Sequence, residues 1–153
     1  MASSLVAGAT FGVVELVGAM VLGQSPLFIV ESTASLVMRE TAYLPEYVAL
    51  SIPLGIAVHF SLATLYGYAF GLMSTEARLS TRLNGGRAAV LGAVYGSLLY
   101  LFNFQFVARQ IYPWLMATSH VAQWLAHALA FGGVLGLLFV RRERRRVARS
   151  PRS

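Results

Sequence analysis

The chain has 153 residues, 57% hydrophobic and only 12% charged, with a mean hydropathy of +0.65; an ordinary soluble domain carries about 25% charged residues, so the composition argues against one. All 12 basic residues are Arg and all 6 acidic residues are Glu, for a formal net charge of +6. That excess lies in the stretch Arg141–Ser153, seven Arg against Glu143, and residues 1–140 are balanced. A nucleic-acid binder spreads its basic residues over a folded face, so the tail reads as membrane topology and no nucleic-acid partner is expected. Cysteine is absent, which excludes disulfides, thiolate metal sites and Cys nucleophiles.

A helix crosses a hydrocarbon core of about 30 Å with about 20 apolar residues. Four such runs occur, approximately Ser4–Gly23, Val48–Met73, Ala88–Val107 and Val121–Val140, and Glu15 is the one charged residue inside them. The expected fold is therefore all-α and polytopic, four transmembrane helices in an antiparallel bundle. The first run lacks a basic n-region and a small-x-small cleavage site, so it is read as a retained helix. Between the first two runs, Ser25 is placed to cap a helix with Pro26 at its first position. Val30, Ala34, Val37 and Met38 fall at helical spacing, with Glu31, Ser35 and Arg39 on another face. The pattern predicts a short amphipathic helix over about 26–42, ended by Leu44–Pro45, lying on the membrane surface or folded over the bundle mouth.

The second connection, Ser74–Arg87, holds the turn signal Asn84–Gly85–Gly86 together with Arg78, Arg82 and Arg87. With the tail, ten of twelve Arg fall on one side of four crossings. Because basic residues are enriched in cytoplasmic loops, both termini are expected in the cytoplasm, with Arg39 and Arg109 outside. The tail residues Arg141, Arg142, Arg144, Arg145 and Arg146 should extend the last helix to anionic headgroups before it frays at Ser150–Pro151.

Every run contains a Gly-x-x-x-Gly: Gly8/Gly12, Gly67/Gly71, Gly92/Gly96 and Gly132/Gly136. Such pairs let helix backbones meet closely in lipid, and all four lie in the cytoplasmic halves of their helices. The polar residues lie towards the other side. At about 1.5 Å per residue from the outer ends, Glu15 is roughly 12 Å deep, His59 16 Å, Asn103 6 Å and His127 9 Å. Together they predict a bundle closed on the inside, with a polar pocket opening outward around Glu15, His59, Asn103 and His127. A carboxylate in hydrocarbon needs a partner or a proton, and Glu15 is expected to pair with His59, His127 or Asn103. His120, Gln123, Trp124 and His127 share one face of the last helix, but His120 and His127 are about 10 Å apart along it, too far to ligate one ion; no metal site is expected. A similar Gly-rich opening, Gly8–Gly12 and Gly92–Gly96, raises a duplicated hairpin.

No nucleotide-binding, zinc-protease or nucleophile-elbow motif occurs, and no two carboxylates are paired for acid/base work. The expectation is a non-enzymatic membrane protein acting as an accessory subunit or homo-oligomer, with lipids, other membrane subunits or its own copies as partners and no cofactor. A small oligomeric transporter or proton-linked channel is the first alternative. The second is a haem b electron-transfer subunit with His59 and His127 as iron ligands.

The Gly8–Gly12 opening with Glu15, the Ser25–Pro26 helix start, mid-membrane His59 and late His127 before an Arg-rich end resemble a family of small four-helix bacterial inner-membrane proteins of the YagU type. Similar chains are sometimes labelled sodium:proline symporter-like, although a true symporter of that kind is far longer. The resemblance implies a bacterial inner-membrane location and no established activity.

Overall fold

A computed structural model describes residues 2–76 and 84–149. Among them there is no strand. Helix α1 spans Ala2–Val21, α2 Pro26–Met38 and α3 Val48–Glu76. Helix α4 covers Gly85–Ile111, with a π-helical stretch at Leu101–Ala108. Helix α5 runs through His120–Leu125, π-helical Ala126–Gly133 and Val134–Arg149. The segments Ala2–Val21, Pro45–Ser74, Gly85–Ile111 and His120–Arg145 are each long and apolar enough to cross a membrane. They overlap the four expected runs and extend the last three. The remainder of the second connection, with Arg78 and Arg82, the Ser150–Pro151 end and the Arg146 side chain lie outside the described residues.

Local chemistry explains the boundaries. Helix α1 stops at Gly23, whose φ of +73° supplies the left-handed residue that closes a helix C-terminus, with Gln24 N–H donating back to the Ala19 carbonyl at 2.8 Å. Two residues on, the Ser25 hydroxyl accepts from Leu27 N–H and Pro26 occupies the first position of α2. Helix α2 ends earlier than 42, because Arg39 turns to φ 58° and the chain tightens into 3₁₀ turns at Arg39–Tyr43 and Pro45–Tyr47. Asn84 caps α4 through a 2.9 Å bond from Arg87 N–H. Helix α5 continues unbroken through Arg141–Arg145.

Helix α5 is the central element: 56% of its most apolar window is buried, against 17–22% in the other three spans. It packs on α4 through the two glycine pairs. A Cβ on Gly92 would collide with the Gly132 carbonyl oxygen, and one on Gly132 with that of Gly92. Gly96 meets the His127 carbonyl and Gly136 the Ala88 carbonyl in the same way, so the contacting positions run in opposite chain directions. Helices α1 and α3 meet through smaller pairs, Gly8 against Ala63 and Gly67 against Ser4. The second half of each motif does less: Gly12 faces the His59 ring and Gly71 only the edge of Phe139. Phe70, Leu99, Phe131 and Leu135 join Ala7 and Ala63 in the core. Large apolar residues such as Val13, Leu65, Val90 and Leu129 point outward, as hydrocarbon solvent allows.

Helix α2 differs from the expected arrangement in which face it buries. Glu31, Ser32, Ala34 and Ser35 are buried while Val37 is exposed. The polar side turns inward because it meets polar partners there, and Gly55 of α3 lets the Val30 carbonyl approach closely.

Gly92→Ala should therefore force α4 from α5 at a backbone oxygen that cannot yield, and lower stability by about 1–3 kcal/mol. Gly18→Ala, with nothing within 4 Å of the added methyl, should be neutral or slightly stabilising. Thermal unfolding of both variants in the same detergent checks the contrast.

Candidate functional site

The small-residue contacts draw the helices together at the end where α1 begins and α5 ends. At the other end they spread around a cavity of about 370 Å³, within the range of small-ligand sites. Its wall includes Glu15, His59, Asn103 and His127. The two π-helical stretches carry Asn103, Phe104, His127 and Phe131 into that wall; such widened turns recur at functional sites.

The expected pairing of Glu15 differs. Each of the three proposed partners is engaged elsewhere. The His59 ring reaches across to the Gly8 carbonyl, Nε2 to oxygen 2.8 Å. His127 folds back on its own helix, Nδ1 to the Gln123 carbonyl at 2.8 Å. Asn103 Oδ1 accepts from the Tyr66 hydroxyl at 2.7 Å. Glu15 instead meets the side chain of Gln123. Gln123 is only 8% exposed and its Oε1 has no hydrogen-bond partner. Glu15 and Gln123 also line a second cavity of about 450 Å³ between α1 and α5, so the pair forms the boundary between the two. Sequence spacing placed Gln123 beside His127 on one helix but gave no sign that α1 would bring Glu15 to it.

The haem alternative does not fit these residues. Two imidazoles on one iron must face each other across the porphyrin plane, and here the Phe11 ring stands between them. Its centroid is 5.5 Å from that of His59, stacked, and 4.7 Å from that of His127, edge-on. The His59 nitrogen on the Gly8 carbonyl is also unavailable to iron. Among the described residues no group of three His, Cys, Asp or Glu is placed to hold a metal ion. His120 lies apart, against the Tyr100 hydroxyl at 3.3 Å.

A latch covers the cavity. Helix α2 and the turn Pro113–Ala117 come from different connections, and three contacts join them. Trp114 Nε1 donates to the Ser35 hydroxyl at 2.9 Å, the Tyr112 hydroxyl donates to the Leu36 carbonyl at 3.2 Å, and the Arg39 guanidinium stacks 5.2 Å above the Trp114 ring. The last contact holds Arg39 at its positive φ, a conformation that costs a non-glycine residue about 1–3 kcal/mol. Glu31, on the inward face of α2, is desolvated there, which raises its carboxyl above the ordinary 4.5.

No protein-family model, no curated protein and no solved structure matches the chain.

Ser35→Ala should leave the Trp114 N–H without its acceptor and cost about 1–3 kcal/mol, read as a lower thermal midpoint. The Glu31 shift carries a pH dependence of known sign. A carboxyl whose folded pKa is raised favours the fold when protonated and opposes it as pH rises through 4.5 towards the folded value. Glu31→Gln should therefore raise the midpoint at neutral pH, with the gain vanishing below pH 4.5.

Proposed function

We propose that this chain is a multi-pass protein of the bacterial cytoplasmic membrane that holds a small ligand in the cavity at Glu15, as the binding unit of a small transporter or of an accessory subunit. It performs no covalent chemistry. In this reading the four spans form an antiparallel bundle with both termini in the cytoplasm. Helix α2 lies over the outer mouth, and Arg141, Arg142, Arg144, Arg145 and Arg146 meet the inner headgroups. The Arg distribution supports the orientation, and the resemblance to YagU-type proteins agrees with the location.

One observation carries the ligand-binding part: Gln123 Oε1 is buried in the cavity wall beside Glu15 with no partner. A buried polar atom without a hydrogen bond costs about 1–3 kcal/mol. A network serving packing alone has no use for that cost, and the glycine contacts already hold α4 to α5. A ligand whose entry turns the Gln123 amide towards the cavity completes the unmet acceptor.

The test uses purified protein and three small aromatic probes of matched size: 2-phenylethylamine, 2-phenylethanol and phenylacetate. At least one should raise the thermal midpoint by about 2–4 °C, and Ala108→Leu, which fills part of the cavity wall, should reduce that shift. If no probe shifts the wild type, the ligand-site reading fails and association with other subunits or copies takes its place. Orientation has its own measurement, since the chain lacks Cys. In intact cells a membrane-impermeant maleimide should label Glu46→Cys, exposed on the turn Pro45–Tyr47, and reach Gly85→Cys only after permeabilisation.

A further inference from the structure

The hydrogen-bonding capacity of the cavity wall is almost all of one kind. Five hydroxyl groups line it, and each gives its proton to a protein oxygen. Ser32 donates to the Phe28 carbonyl, Thr33 to Ile29, Thr118 to Leu115, Tyr112 to Leu36 and Tyr66 to Asn103 Oδ1. What the hydroxyls have left is lone pairs.

The histidines follow the same rule. A carbonyl oxygen can only accept, so His59 Nε2 and His127 Nδ1 must carry hydrogen. In the neutral ring the other nitrogen is then an acceptor. Gln123 Oε1 is a buried acceptor without a donor, and the Glu15 carboxyl, once ionised, accepts only. Against this stand two side-chain amides, Asn103 and Gln123, of which the second is already turned to Glu15. No Arg lines the cavity among the described residues; Arg39 is held over Trp114 outside it. The rest of the wall is aliphatic and aromatic and includes Phe11, Phe104 and Phe131, rings whose faces attract a cation.

We infer that the occupant is an amphipathic organic ammonium ion, a primary or secondary amine on an apolar body, whose N–H groups are taken by Glu15 and Gln123 Oε1 and whose body lies among the aromatic rings. The inference rests on the cavity reading above and adds the ligand's chemical class. The second cavity suits the same ligand. Its rim residues Val14, Leu22, Leu125 and Leu129 are exposed on the apolar outside of the molecule, so an amphiphile dissolved in lipid reaches the Glu15–Gln123 pair from the side of α1 and α5.

Calorimetric titration of the full chain in lipid nanodiscs, with the same three probes, decides it. 2-Phenylethylamine, protonated at neutral pH, should bind saturably, with 2-phenylethanol at least about tenfold weaker and phenylacetate weaker still. Glu15→Gln should lose about tenfold in affinity for the amine and little for the alcohol, and Glu15→Asp should retain most of it. Gln123→Leu, which removes the buried acceptor and keeps the carboxylate, should weaken the amine alone, and it carries the test should Glu15→Gln fail to fold. Equal or tighter binding of the alcohol or the carboxylate overturns the ammonium assignment and leaves the ligand site standing. Amine binding unchanged by either substitution overturns the assignment as well, since it marks partition into lipid. Absence of saturable binding by all three overturns both readings.

Discussion

The carbonyl oxygens of Gly92, Gly132, Ala88 and His127 touch the facing helix where any side chain would have stood. In hydrocarbon there is no aqueous drive to bring α4 and α5 together, so dispersion between close backbones, with Cα–H···O contacts, must supply the attraction. Four glycines are the means of reaching that distance. Because the contact is between backbones, it is unyielding, and it sets where α5 lies. Helix α1 then packs on α5 through Phe11, and α3 on α1 through Gly8 and Gly67.

Tight approach at one end makes room at the other. Beyond Gly96, α4 passes into π-helical turns at Leu101–Ala108 and carries Asn103 and Phe104 to the cavity, while the π-helical stretch Ala126–Gly133 of α5 holds both the close contacts at His127 and Gly132 and the cavity-lining His127 and Phe131 rings. The opening is roofed by α2 and the Pro113–Ala117 turn. The latch between them explains why α2 buries its polar side: Ser35 and Ser32 take bonds from Trp114 and Tyr43. Val37, on the other side, is left exposed.

How much of this the sequence discloses depends on whether the deciding interaction is local. Apolar run length is local, and it locates the four spans within a few residues. The Ser25–Pro26 cap is local too, and α2 begins where it directs. The end of α2 is not, since Arg39 leaves the helical path where Trp114, far along the chain, receives its guanidinium. Helical periodicity grouped Ala34 with Val37 and Arg39 with Glu31, whereas Ala34 is buried beside Glu31 and Ser35 and both Val37 and Arg39 are exposed, because the partners that bury a residue come from elsewhere in the chain. Glu15 was conspicuous as the one intramembrane charge. Its neighbour was not legible, because His59, His127 and Asn103 could each have served until their bonds to Gly8, Gln123 and Tyr66 were known.

The small-residue crossings have a consequence for how the chain assembles. The closest helix contacts fall within the first part of the chain, where the Ala63 and Ser4 side chains sit against glycines between α1 and α3, and within the last part, where the backbones of α4 and α5 meet. Each part can therefore form its defining contact without waiting for the other. The cavity, by contrast, draws its wall from both, and the roof is a bond between them. In that order the site comes together when the two parts meet, since Glu15 lies on α1 and Gln123 on α5. A half-buried carboxyl on one half and a buried amide on the other thus act as a registration mark between the halves.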